Sequence, residues 1–159
     1  MANHQYYMEI AINEARKALE FDEVPIGAVI VIGSKIVAQA HNMKEQWNDA
    51  TAHAEMVAIH KAVEALGHWR HLRDGVLYVT LEPCPMCAGA IVQSRIKTLV
   101  YGAADPKAGA VDSLMNLTQD PRLNHRVEVV SGVLAKECGE MMTGFFRKIR
   151  ETKSGAKNN

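Results

Sequence analysis

Val76-Leu77-Tyr78-Val79-Thr80-Leu81, running directly into Glu82-Pro83-Cys84-Pro85-Met86-Cys87, is the stretch on which the fold turns. Its first six residues are apolar, β-branched or aromatic, and they predict a strand. The break that follows places a proline where the first turn of a helix tolerates one, which predicts a helix from Cys84 to about Ser94 with both thiols at its start. Upstream, Thr51 reads as the N-cap of a helix from Ala52 through Leu66, ended by Gly67 and a polar loop. Downstream, Lys97 to Tyr101 reads as a fourth strand, followed by a loop from Gly102 to Ala110, and Val127 to Val130 reads as a fifth.

The two ends complete the pattern. Tyr7, Met8, Ala11, Ala15, Ala18 and Leu19 recur at three- and four-residue steps, which describes an amphipathic helix over residues 4–20. After Glu23-Val24-Pro25, the run Ile26 to Ile32 is a buried strand, and Gly33-Ser34-Lys35 turns it into an antiparallel partner from Ile36 to Ala40. A last helix aligns Leu134, Cys138, Met141, Met142, Phe145 and Ile149, despite glycines at 139 and 144. Strands alternating with crossover helices argue for an α/β layered domain with helices covering a mixed sheet.

Bulk properties narrow the function. At 159 residues the chain fits one compact domain, and 48% apolar with 23% charged residues excludes disordered and collagen-like classes. No apolar run approaches the roughly 20 residues of a membrane helix, and Met-Ala-Asn-His-Gln-Tyr-Tyr lacks the order of a signal peptide, so the expected compartment is the cytoplasm. Cations and anions balance at 18 each, yet the segment from Arg147 to the end carries +4 and the remainder −4. That arm reads most simply as a solvated, frayed tail, with a domain over 1–150 and a flexible basic tail over 151–159.

Three cysteines are too few and too oddly numbered for a disulfide framework, so metal or redox chemistry is the better question. His53-Ala54-Glu55 and Pro83-Cys84-Pro85-Met86-Cys87 each sit where a helix begins after a strand. Crossover topology brings such helix starts to one edge of the sheet, where open α/β folds keep their sites. Positive helix N-termini lower thiol pKa values, so Cys84 and Cys87 are expected to bind metal as thiolates, and one imidazole with two thiolates suits zinc. Three protein ligands leave a fourth position for water, the mark of a catalytic rather than a structural zinc. Cys138 lies on the apolar stripe of the last helix and reads as a core residue. Glu55, two residues past His53, points away from the imidazole on a helix and is placed to relay a proton rather than to bind the ion. Cys-x-x-Cys alone also fits a redox dithiol or a structural zinc site. The combination H-x-E with P-C-x-x-C is the signature of zinc nucleobase deaminases.

Beyond those motifs, Thr51-Ala52-His53-Ala54-Glu55-Met56, Tyr78 to Ala90, Ser113-Leu114-Met115-Asn116 and Gly144-Phe145-Phe146-Arg147 closely resemble the bacterial tRNA-specific adenosine deaminases, over nearly the whole chain. The resemblance implies a three-layer α/β/α cytidine deaminase-like fold with a mixed five-stranded sheet. It implies a homodimer, one zinc per subunit and hydrolytic conversion of adenosine to inosine at wobble position 34 of the anticodon of an arginine tRNA. Carried over by motif, His53, Cys84 and Cys87 hold zinc, Glu55 relays protons, and Asn42 hydrogen-bonds the base in a substrate pocket shared with Ile26, Ala54 and Pro83. An anticodon loop is single-stranded, so extruding its base costs less than in a duplex. Asp105, Lys107, Asn124, Phe145 and Arg147 are the candidates for contacting it, with core burial competing for Phe145. Two rivals remain: a deaminase of free guanine or cytosine, which needs a closed pocket and no basic arm, and a noncatalytic zinc-stabilised RNA-binding scaffold, which needs neither Glu55 nor an open coordination position.

Overall fold

The computed structural model describes residues 3–157. The elements run α1 (His4–Leu19), β1 (Gly27–Ile32), β2 (Lys35–His41), α2 (Lys44–Trp47), α3 (Ala54–Leu66), a 3-10 helix (Trp69–Asp74), β3 (Val76–Leu81), α4 (Pro85–Gln93), β4 (Thr98–Ala103), β5 (Glu128–Val130) and α5 (Ala135–Lys157). The five strands form one mixed sheet in the order β2-β1-β3-β4-β5. Strand β1 is antiparallel to both neighbours, whereas β3, β4 and β5 are parallel. Strands β2 and β3 therefore point the same way, and the helices that follow them begin at the same edge of the sheet.

Alternation along the strands makes two cores. Ala28, Ile30, Leu77, Val79, Leu99 and Tyr101 face one side and pack with Val57, Ala58 and Ala62 of α3 and Ile91 and Val92 of α4. Val29, Val31, Tyr78 and Val100 face the other side and meet Met8, Ala11 and Ile12 of α1 and Cys138 of α5. The result is the expected three-layer α/β/α arrangement. Among the described residues, no helix is long and apolar enough to cross a membrane.

Contact between α1 and the sheet is closest at Gly27, where a β-carbon would overlap the Ala11 carbonyl oxygen and the Ala15 amide. Backbone cannot yield as a side chain does, so Gly27→Ala is expected to destabilise the fold by at least about 2 kcal/mol. A lowered denaturation midpoint with an unchanged slope is the measurement that checks it.

Several boundaries differ from the expectation. Thr51 does not cap α3: its N–H and its hydroxyl both donate to Asp49 Oδ1, at 2.8 and 2.7 Å, which closes a turn before the helix. The N-cap is His53, with extended backbone and no capping side-chain bond. The polar stretch after β2 contains the short α2, and the loop after Gly67 contains the 3-10 helix. Helix α5 runs past residue 150, as far as Lys157. Residues 158 and 159 of the expected tail lie outside the described residues.

Candidate active site

His53 and Cys84 occupy the same structural position, the N-cap, on α3 and α4 respectively, and Cys87 lies in the first turn of α4. Each N-cap residue has extended backbone, and neither spends its side chain on capping the helix. The side chains meet instead: His53 Nδ1 lies 3.6 Å from Cys84 Sγ and 3.5 Å from Cys87 Sγ. All three donor atoms are within 4.8 Å of one another, and among the described residues no fourth His, Cys, Asp or Glu joins the group.

These separations test whether a metal fits. Tetrahedral zinc, with zinc–sulfur near 2.3 Å and zinc–nitrogen near 2.0 Å, places neighbouring nitrogen and sulfur about 3.5 Å apart. The observed spacing matches that tetrahedral edge. Cys87 is buried, and His53 and Cys84 are half-buried. Cys138 is in the core on the opposite face of the sheet, where burial pushes its thiol up to about 11, and it is remote from this chemistry.

Electrostatics prepare the two thiols for a cation. A hydrogen bond from Cys87 brings the Cys84 thiol down to about 4, with a further contribution from His53, while the same bond pushes the Cys87 thiol up. The pair thus holds one proton between two sulfurs, the proton that a metal displaces. His53 is raised, chiefly by its bond to Cys84 and also by the Glu55 charge, against the opposing effect of burial. Two helix N-termini aim their partial positive charge at the same sulfurs.

Glu55, the second residue of α3, is 4% exposed, and its carboxyl is raised above the ordinary carboxylate range, first by burial and then by the nearby Cys84 charge. An upward shift is the direction that favours a carboxyl acting as both acid and base in proton transfer. It stands outside the trio of close donor atoms.

Comparison with known proteins agrees with this geometry. A family profile described as MafB19-like deaminase matches residues 2–150. The tRNA-specific adenosine deaminase of Bacillus subtilis (strain 168) is 55% identical over 159 residues, spanning 100% of this chain and 98% of the relative. The chain belongs to the bacterial tRNA-specific adenosine deaminase family. A solved structure from work on A-to-I editing by tRNA:A34 deaminases superposes with a TM-score of 0.82 at 49% identity, covering 86% of this chain and 98% of that one. A Bacillus subtilis guanine deaminase structure also matches, with a TM-score of 0.61 at 41% identity over 65% of this chain and 66% of that one.

Within this family member, the remaining predicted residues fall into distinct places. Asn42 follows β2 directly and is 4% exposed. Its backbone N–H donates to the Ile26 carbonyl at 3.1 Å, its Oδ1 accepts from Lys44 N at 3.2 Å, and its amide nitrogen donates to the Val24 carbonyl at 3.4 Å. It is thus a turn residue held in one orientation, with hydrogen-bonding capacity left on both ends of the amide. Ala54 is the first residue of α3 and is buried, and Pro83 is buried immediately before Cys84.

The candidate RNA contacts do not form one patch. Asp105 and Lys107 line a groove of about 650 Å³ together with Phe146 and Arg150 of α5. Asp105 also folds its own loop, its Oδ1 accepting from Lys107 N and Ala108 N. Phe145 is half-buried and faces a second groove with Leu19 and Lys148, while Asn124 lies in a third beside α4. Arg147 is exposed and lines none of these. Arg150 belongs to the basic arm read from the sequence, whereas Phe146, 42% exposed, is not among the expected contacts, because helical spacing points to Phe145 as the stripe residue and cannot say which of two adjacent rings faces a loop from β4.

The sequence alone gives Glu82 no role. Its carboxylate is 2% exposed and accepts only neutral donors: the backbone N–H groups of Asp105, Val111, Asp112 and Ser113, at 3.0, 3.2, 2.9 and 2.9 Å, and the Ser113 hydroxyl. Burial acts to raise it, yet those bonds together bring it down to about 2, so it stays ionised. An acid at the end of a buried strand is the only sequence signal for it, and nothing in its neighbours reveals the partners.

Proposed function

We propose that the protein hydrolytically deaminates adenosine to inosine at wobble position 34 of a tRNA anticodon, that of an arginine tRNA, with zinc held by His53, Cys84 and Cys87. The observation that carries this reading is a donor trio at tetrahedral spacing, without a fourth protein ligand among the described residues, in a chain 55% identical to a tRNA-specific adenosine deaminase. When bound there, zinc supplies a Lewis acid that lowers the pKa of water from about 15.7 toward about 7.

The chain's own groups do the rest. Asn42 holds the edge of the extruded adenine and orients C6 toward the trio, with Ile26, Ala54 and Pro83 lining the pocket. Glu55 takes a proton from the attacking water and gives it to the ring nitrogen beside C6 as the C6–O bond forms. Glu55 then takes the proton of the new C6 hydroxyl and gives it to the amino group as the C6–N bond breaks, leaving the C6 carbonyl of inosine and releasing ammonia. Water is consumed and ammonia released, with no change of redox state. A redox dithiol needs none of this apparatus, and a scaffold needs neither a buried Glu55 nor an open coordination position.

The groove between Asp105–Lys107 and Phe146–Arg150 supports an RNA substrate over a free base, because it offers an aromatic face and cations beside the loop. We place the working protein in the cytoplasm as a homodimer. Leu114, Met115 and Leu123, 57%, 44% and 40% exposed, supply apolar surface for a second copy, and sedimentation at micromolar concentration reads the state.

Neutralising Arg147, Lys148 and Arg150 together is expected to weaken stem-loop binding and to reduce the slope of log affinity against log salt by about 2, at about 0.7 per single-strand phosphate. An unchanged slope removes RNA contact from their role. The reading as a whole is tested by incubating the zinc-loaded protein separately with an adenosine-34 anticodon stem-loop, guanine and cytosine. Inosine from the stem-loop alone is expected. Xanthine or uracil without inosine overturns the RNA reading in favour of a free-base deaminase like the guanine deaminase relative.

A further inference from the structure

We propose that Glu82 is a positioning residue that shapes the Asp105–Ser113 loop for RNA and thereby sets the affinity for the stem-loop, a role that rests on the RNA substrate proposed above. Glu82 joins β3 to the metal-binding turn, two residues before Cys84. Its two carboxylate oxygens accept five hydrogen bonds, and all five donors belong to that one loop. Oε1 takes the amide at the start of the loop, from Asp105, and the Ser113 hydroxyl at its end. Oε2 takes three consecutive amides, Val111 to Ser113. The carboxylate therefore cinches both ends of the loop around a single point.

Packing carries the same message. Gly109 passes so close that a β-carbon would collide with the Glu82 carboxyl group, so any other residue displaces the loop or the acid. Ala110 N donates to the Pro83 carbonyl at 2.8 Å, which fixes the loop against the turn that presents Cys84. Lys107 projects from the segment that this arrangement holds, toward the groove shared with Phe146 and Arg150. A buried carboxylate surrounded by amides is an expensive way to hold a loop that merely covers surface. It is an effective way to keep a substrate-facing loop in register with the reaction centre, because preorganisation reduces the ordering cost of binding.

The test compares Glu82→Gln and Ser113→Ala with the wild type in the zinc-loaded full chain. Glutamine turns one acceptor into a donor facing amide donors, whereas Ser113→Ala removes a single hydroxyl far along the chain from the metal ligands. Glu82→Gln is expected to raise KM for the adenosine-34 stem-loop by about tenfold or more and Ser113→Ala by about threefold, with kcat within about threefold of wild type and zinc retained. Hydrogen exchange should speed up at the amides of 111–113 while those of α4 stay protected. If Glu82→Gln does not fold or loses zinc, Ser113→Ala decides. KM unchanged in a folded variant, or a fall in kcat with KM unaltered, overturns the proposal in favour of a purely structural acid. A wild type that makes no inosine sinks the substrate reading instead, and exchange at 111–113 still decides whether Glu82 holds the loop.

Discussion

Glu55→Gln and Glu55→Ala are expected to yield folded, zinc-loaded protein whose deamination of the adenosine-34 stem-loop is slower by at least about 1000-fold. The residue lies in the first turn of α3, buried, with its carboxyl pushed upward mainly by that burial. It is outside the group of donor atoms that a metal would use, so its loss leaves the coordination set whole. Glutamine keeps the shape and the buried polar contacts but carries no proton to shuttle, and it isolates the proton-transfer role from packing. Single-turnover kinetics with metal analysis of the same sample is the check. Activity within about tenfold of wild type assigns the proton transfer to another group.

Removing the metal is expected to be as severe. A strong chelator, or Cys87→Ser, should abolish turnover and lower Tm by about 10 °C, because a ligand held at about a thousandfold its Kd contributes about 4 kcal/mol. The α/β core does not depend on the ion for its topology, since the sheet and both helix layers are packed by apolar side chains. Secondary structure should therefore persist in the metal-free chain. Thiol reagents should then modify Cys84 readily, its thiol lying near 4, whereas buried Cys138 should react only on unfolding. Full turnover after verified loss of zinc would remove the metal from the mechanism.

Much of this was legible in the residues. The strand Val76–Leu81, the hairpin of β1 and β2 and the stripe of α1 are local patterns, and period alone places them within a residue or two. The meeting of His53 with Cys84 and Cys87 is non-local, but crossover topology reduces it to two helix starts on one sheet edge. Features that depend on a distant partner stayed hidden. Thr51 has the chemistry of a helix cap, and only the capture of its hydroxyl by Asp49 shifts that position to His53. The basic arm has the composition of a tail, yet α5 extends along it as far as Lys157. Phe146 gains meaning only from the Asp105–Lys107 loop opposite, and Glu82 only from five donors that lie 23 to 31 residues ahead.

X-ray absorption at the zinc edge of the purified, zinc-loaded chain tests the central claim most directly. The account predicts one zinc per chain surrounded by two sulfurs near 2.3 Å and two lighter atoms near 2.0 Å, one imidazole nitrogen and one exchangeable solvent oxygen. A third sulfur, a second imidazole in place of solvent, or no bound zinc would contradict it.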